Sequence, residues 1–273
     1  MWIDTHCHLD AHEFVAAEGG PSGVGLRAAA LGVSMIVIPA VERGNFATVA
    51  AIPASTPNAC YALGIHPMCV PQASDDDLDA LRALAQASLA DPRFVAIGEI
   101  GLDYFIPQLC EPAMRDKQER FFRAQLRIAR DLGLPVLTHV RRSQDQVLKH
   151  LRQITPPCGI AHAFNGSFQQ AQTFIDLGFH LGFGGAFTFT RALQIRRLAT
   201  QLPLSSIVME TDAPDIAPAW VHPARNSPEH LAAIGTALAE LRGMDASEVA
   251  AVTTRNATLA IPRLSLIPAE LRT

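Results

Sequence analysis

Apolar residues in this chain come in short runs, and amphipathic segments of helical period lie between them along nearly the whole sequence. Eight of the runs are predicted strands: Trp2 to His6, Met35 to Pro39, Cys60 to Ile65, Phe94 to Ile100, Pro135 to His139, Gly159 to Ala163, His180 to Phe183, and Ile207 to Glu210. Helical periodicity fills most of the gaps, as in Ala113 to Leu132 and Phe168 to Leu177, which run into Gly133 and Gly178 as a helix stop requires. The strands are nearly continuous in apolar residues, which indicates a parallel sheet covered on both faces. Eight β/α units in about 250 residues predict an α/β fold of the (β/α)8 TIM barrel type, as a single domain over residues 1–273. The rival, a doubly wound open sheet, more often stops at about five or six strands and opens with a glycine-rich turn, and no G-x-G-x-x-G follows the first strand. No low-complexity segment or Pro/Ser/Gly linker divides the chain. The tail after Ala260, IPRLSLIPAELRT, is too broken by proline to predict a helix. After the eighth strand, APDIAPAWVHPARNSPEH carries Pro214, Pro218, Pro223 and Pro228, and so long an irregular segment is expected to overhang a site.

Composition narrows the functional classes. The net charge is -4 and the pI about 6.2, so there is no overall basic field for tight nonspecific binding of long duplex nucleic acid. Arginine greatly outnumbers lysine, of which there are only Lys117 and Lys149; planar guanidinium suits phosphate, although genomic base composition produces the same bias. No apolar run approaches the roughly twenty residues needed to span a bilayer, so no membrane partner is expected, and no obligate protein partner is evident. The start MWIDTHCHLD lacks the pattern of a secretory signal, which makes the cytoplasm the expected location. Cys7, Cys60, Cys69, Cys110 and Cys158 are odd in number and contain no C-x-x-C pair, which fits reduced thiols.

The chemistry collects at strand ends. In a parallel barrel the C-terminal ends of the strands converge on one face, where side chains distant in sequence meet. His6 and His8 end the first strand, and their spacing on extended chain points both imidazoles the same way. Cys7 between them should point away and pack. His66 ends the third strand, Glu99 lies in the fourth, His139 ends the fifth, His162 is near the end of the sixth, and Asp212 follows the eighth. Any one strand-end histidine is ordinarily a satisfied polar residue, and Asp212 alone could cap a turn. Glu99 is harder to explain that way. It stands among apolar neighbours in FVAIGEIGLDYF, and a buried carboxylate needs a cation or a proton. Five histidines and two acids at one end of six strands point jointly to a binuclear metal centre. Imidazole with carboxylate suits Zn2+, Mn2+, Fe2+, Co2+ or Ni2+, and a carboxylate-bridged pair also accepts Mg2+.

These residues resemble the TatD-type metal-dependent deoxyribonucleases of the amidohydrolase-like barrels. The resemblance runs from Ile3 to about Asn256. It rests on DTHCHLD (4–10), GIHP (64–67), GEIGLDY (98–104), LPVLTHVRRS (134–143), AHAFNGS (161–167), ETDAP (210–214) and RNSPEHL (225–231). The ending of the first motif and RNSPEH look most like a subgroup of hydrolases distinct from the founding nucleases. The resemblance implies two divalent ions, Zn2+, Mn2+ or Mg2+: one on His6 and His8, the other on His139 and His162, with Glu99 bridging and Asp212 completing the first site beside the attacking water. It implies catalytic roles for Asp212 and Glu99. His66 and Asp103 would act behind the ligands or face substrate, and Arg141, Arg225 and Asn226 match positions able to meet phosphate. Ala163 stands where the family often has cysteine, and Thr138 where it often has a larger apolar residue. The expected activity is a 3′-end-directed deoxyribonuclease or phosphodiesterase on single-stranded or short DNA, so the expected partner is a nucleic acid end or another small substrate. The alternative is hydrolysis of an amide, ester or lactone in a small molecule or aminoacyl conjugate. Many such relatives bridge their metals with a carbamylated lysine, and this chain has no strand-end lysine. A third reading, a metal-braced binding scaffold, requires saturated coordination with no open position for water.

Overall fold

The computed structural model describes residues 1–268. Eight strands, β1 (Trp2–Asp4), β2 (Val33–Pro39), β3 (Ala59–Leu63), β4 (Phe94–Asp103), β5 (Val136–Arg141), β6 (Gly159–Ala161), β7 (Phe179–Phe183) and β8 (Ile207–Met209), pair in sequence order. All seven successive pairings are parallel. The ring closes where Thr5, just past β1, donates its backbone N–H to the Met209 carbonyl of β8 over 3.1 Å. The expected (β/α)8 barrel is the observed one.

Strand periodicity explains the two layers of core. Ile3, Met35, Val37, Cys60, Ala62, Leu137, Ile160 and Val208 form one buried cluster, which includes Ala257, Ala260, Ile261 and Leu264 from the end of the chain. The residues alternating with them, such as Ile36, Ile38, Tyr61 and Leu63, belong to the larger cluster shared with the surrounding helices. The helix Pro112–Leu132 buries Phe121, Phe122, Leu126 and Ala129 at helical spacing and stops at Gly133, whose φ of 67° is the left-handed value that glycine adopts at no steric cost.

The chain end departs from expectation. Residues 262–266 form a short 3-10 turn, and Arg263 donates to the carbonyls of Leu89, Asp91 and Phe94 at the start of β4, so this segment plugs the N-terminal mouth of the barrel. The last part of the predicted irregular tail, 269–273, lies outside the described residues. The opposite mouth is left for the site. Strand ends differ by a few residues from the sequence expectation. β1, β6 and β8 stop at Asp4, Ala161 and Met209, so His6, His162 and Glu210 stand just beyond their strands, whereas β4 runs on to Asp103. Gly101 pairs with His139 across β4 and β5, and a Cβ at Gly101 would collide with the His139 carbonyl. Only glycine permits that approach. No helix among the described residues is long and apolar enough to cross a membrane.

Candidate metal centre

The segments just past β1 and β8 run side by side and set the first half of the centre. Asp212 donates its N–H to the His6 carbonyl over 2.8 Å, and His8 donates to the Ala213 carbonyl over 2.8 Å. Cys7 between them is fully buried in the core. The two imidazoles therefore face the same way as Asp212: His6 Nε2 lies 3.7 Å and His8 Nε2 3.6 Å from Asp212 Oδ1.

Glu99 stands between this group and a second. Its Oε2 lies 3.1 Å from His6 Nε2 and 3.6 Å from His8 Nε2. Its Oε1 lies 3.0 Å from His139 Nδ1, 3.3 Å from His66 Nε2 and 3.6 Å from His162 Nε2. Donor atoms close enough to share an ion are thus found in His6, His8 and Asp212, in His66, Glu99 and His139, and in His6, Glu99 and His162. The six ligands expected from the sequence are all brought together. His66, expected behind them or facing substrate, stands as close to Glu99 as the four histidine ligands do. His162 lies between the groups, its ring stacked on His6 at 3.8 Å and its Nε2 3.9 Å from Asp212 Oδ2.

Charge argues that the cluster suits cations. Glu99 is 2 % exposed and has no lysine or arginine partner among the described residues, only imidazoles. Burial alone raises a carboxyl pKa, but His66, His6 and His162 with the His139 hydrogen bond hold Glu99 well below its usual range. Burial drives His6 down to about 3, helped by the neighbouring His162, and it lowers His66 as well. At Glu99, His6 and His66 these shifts give the protonation state a metal requires of its ligands, an ionised carboxylate and neutral imidazoles. Burial opposes protonation of His139, but its hydrogen bonds to Asp103 and Glu99 raise it, and His162 also goes the other way. Burial opposes its protonation, but Asp212, Glu210 and Glu99 together raise it to about 10. A proton there answers the same demand for positive charge that a divalent ion meets. Burial likewise lifts Asp212 to about 6, with His162 and His8 acting against the rise. The donor set fits divalent metal.

Two carboxylates orient the imidazoles from behind. Asp103 Oδ2 faces His139 Nε2 at 3.1 Å, while its Oδ1 accepts from the N–H groups of Phe105 and Ile106. Glu210 Oε1 lies 3.4 Å from His162 Nδ1 and accepts from the Ala163 N–H over 2.6 Å. Such partners fix the ring and tautomer of a ligating histidine. Glu210 went unnoticed in the sequence, as did Asp4, whose fully buried carboxylate accepts from Thr211 Oγ1 over 2.6 Å and from the Thr211 and His6 N–H groups. Burial raises Asp4 to about 8, against those hydrogen bonds. Both residues carried the signal used for Glu99: an acid inside an apolar run, in WIDTH and IVMETD.

The centre forms the floor of a cleft of about 890 Å³. Of the residues expected to meet phosphate, Arg141 lines it, half exposed. Arg225 and Asn226 do not line it. The Arg225 guanidinium lies 4.7 Å over the Phe14 ring. Asn226 is fully buried, with Nδ2 donating to the carbonyls of Thr211 (2.8 Å) and Ile216 (3.2 Å) and Oδ1 accepting from Ser227 N over 2.9 Å. It ties the proline-rich segment to the residue before Asp212 and cannot reach a substrate. Among the described residues, every non-glycine with positive φ, namely Arg142 (54°), Ala163 (44°), Asp212 (56°) and Ile216 (46°), lines this cleft. Strained backbone of this kind persists where a site over-determines it.

Comparison with known proteins agrees with the geometry. The family model for TatD related DNase matches residues 3–261. The uncharacterized metal-dependent hydrolase YjjV of Escherichia coli K12 is 39% identical over 252 residues, 91% of this chain and 93% of that protein. Its crystal structure superposes with a TM-score of 0.88, covering 96% of this chain and 98% of that one. An uncharacterized metal-dependent hydrolase of Haemophilus influenzae is 34% identical over 258 residues, 94% of this chain and 97% of its own. A TatD family hydrolase from Entamoeba histolytica, 19% identical over 95% of this chain and 97% of its own, shares the fold with a TM-score of 0.81. The chain belongs to the TatD family of metal-dependent hydrolases.

Proposed function

We propose that the protein is a binuclear phosphodiesterase of the deoxyribonuclease type, acting from the 3′ end of single-stranded or short DNA. The observation that carries this reading is the division of Glu99. One of its oxygens faces His6 and His8 and the other faces His139, His66 and His162, the arrangement expected of a carboxylate shared by two cations. His6, His8 and Asp212 would hold one ion. His139 and His162 would hold the other, with His66 at hand. Divalent cations bound there supply Lewis acidity, generating hydroxide from water near neutral pH and countering charge on phosphoryl oxygens.

The side chains have separable tasks. Asp212, 15 % exposed and open to the cleft, is positioned to take the proton of the attacking water through Oδ1 or Oδ2. Asp103 keeps His139 turned toward Glu99. Arg141 on the cleft wall offers a guanidinium to the anionic substrate. No Ser-His-Asp arrangement is needed, because water is the nucleophile.

The test combines metal analysis with an assay on a 3′-labelled oligonucleotide in Mg2+, Mn2+ or Zn2+, beside a panel of amides, esters and lactones. Stepwise shortening of the oligonucleotide is expected, with large losses in His139→Ala and Asp212→Asn. Selective turnover of an amide or ester instead would overturn the phosphodiester reading, and unchanged activity in both variants would overturn the roles given to these residues.

A further inference from the structure

Consecutive residues on a strand point to opposite faces. Arg141 ends β5 and Arg142 follows it, yet both guanidiniums lie over one ring: the Arg141 Cζ is 3.8 Å and the Arg142 Cζ 4.6 Å from the centre of Phe105. The chain achieves this by taking Arg142 into the left-handed region, with φ of 54°. That conformation is unfavourable for a side chain with a Cβ. Phe105 itself is 43 % exposed, so the cluster stands at the surface and is not forced together by a core. All three residues line the cleft above the metal centre.

Among the described residues Arg142 has no carboxylate partner, and Arg141 has only a long contact with Asp103. Neither guanidinium donates a hydrogen bond to a described residue, and the nearest carboxylate oxygen, Asp103 Oδ2, is 3.9 Å from Arg141 Nη1 and already faces His139. Two like charges held side by side repel each other unless an anion lies between them. The helix Gln144–Gln153 begins immediately after them, its N-terminus without a side-chain cap, and Gln144 lines the same cleft. Its dipole adds to the positive potential there.

We infer that Arg141 and Arg142, clasped on Phe105, form a subsite for a second, non-scissile phosphate of the substrate. The inference rests on the phosphodiesterase reading and narrows it. The preferred substrate carries a phosphate next to the bond that is cut, as an oligonucleotide or a terminally phosphorylated dinucleotide does and an isolated diester does not. The metal centre takes the scissile phosphate, and the fork sits one carboxylate, Asp103, away from its ligand His139. Phe105 keeps both forks pre-positioned, which reduces the side-chain entropy lost when the anion binds.

Isothermal titration of the metal-loaded protein with thymidine 5′-monophosphate and thymidine 3′,5′-bisphosphate tests the subsite. The second phosphate is expected to tighten binding by about tenfold or more, the scale of charge-assisted hydrogen bonds. Arg141→Gln and Arg142→Asn should abolish that increment. Asparagine is chosen at 142 because it tolerates positive φ, so loss of the guanidinium is separated from backbone strain. Equal affinity of the wild type for the two nucleotides, or an increment retained in both variants, overturns the subsite. Wild-type shortening of a 3′-labelled oligonucleotide reports separately on the underlying reading. Absence of that shortening with the increment intact removes the phosphodiesterase function and leaves the anion site standing.

Discussion

Replacing Asn226 by alanine should weaken both the fold and the metal centre without touching the substrate. The side chain makes four contacts, and they differ in how well water could replace them. Thr211 is fully buried and Ser227 is 4 % exposed, so the Thr211 carbonyl and the Ser227 N–H lose their partners where water does not reach. Each such orphan costs about 1–3 kcal/mol. Ile216 is 36 % exposed and His230 is half-buried, so their lost bonds to Asn226 are largely made good by solvent. The expected loss is therefore about 2–6 kcal/mol, a large share of the roughly 5–15 kcal/mol that stabilises a typical domain. Thr211 immediately precedes Asp212, so loosening it should also lower metal affinity by about 10–100-fold, the usual effect of removing a group that supports a ligand. Urea unfolding with and without chelator measures the first effect, and titration of the apoprotein with Zn2+ or Mn2+ measures the second. Asn226→Asp is a useful companion, because it keeps the shape but sets a carboxylate oxygen against the Thr211 carbonyl. A variant with wild-type stability and metal affinity whose only defect is a raised KM would falsify this assignment and return Asn226 to a phosphate-binding role.

Other outcomes follow from the same geometry. Asp103→Asn exchanges the carboxylate behind His139 for an amide, and kcat should fall about 10–100-fold with a matching loss of metal at that position, read by metal analysis beside kinetics. Chelation should lower the thermal midpoint, since ions that bind only the folded chain at one hundred times Kd contribute about 2.7 kcal/mol, and an unchanged midpoint in excess EDTA would contradict the ligand set. His180 has an orphaned, buried Nδ1 and its pKa is held below 6.5, chiefly by burial. Its folded form resists a proton that the unfolded chain accepts, so the stability it contributes is present above about pH 6.5 and is lost as pH falls through that value. In His180→Gln the unfolding free energy should decline less between pH 7.5 and 5.5 than in the wild type, and parallel slopes would count against this assignment.

The sequence disclosed the barrel because parallel strands buried on both faces leave a strong trace, and each of the eight observed strands overlaps an expected one. It disclosed the donors for a related reason: a titratable residue at the end of an apolar run has few structural purposes. Asp4 and Glu210 meet the same criterion, but each stands two residues from His6 or Asp212, and the sequence does not distinguish a ligand from the acid that braces it. The nearness of His66 to Glu99 depends on how the chain just past β3 turns toward β4, which periodicity does not encode. Polar residues in a long loop look available to substrate in the sequence, whereas Asn226 is consumed by backbone groups of the loop itself and the Arg225 guanidinium lies over Phe14. The turn at Arg142 that brings two guanidiniums to one ring leaves no mark on composition or spacing.

The stitching of β1 to β8 has a further consequence. Asp4 and Thr211, hydrogen-bonded to each other, are 207 residues apart, and the neighbouring His6, His8 and Asp212 span a similar stretch of chain. An ion held by all three acts as a reversible cross-link between the two ends of the polymer. In an unfolded chain, gathering those ligands would forfeit loop-closure entropy on the scale of several kcal/mol, so the ion binds there weakly and its affinity falls almost wholly on the closed ring. Metal uptake thereby becomes a reporter of ring completion. A chain truncated before β8 keeps most of its histidines but lacks the strand that brings Asp212 home, and it should lose metal and cooperativity together.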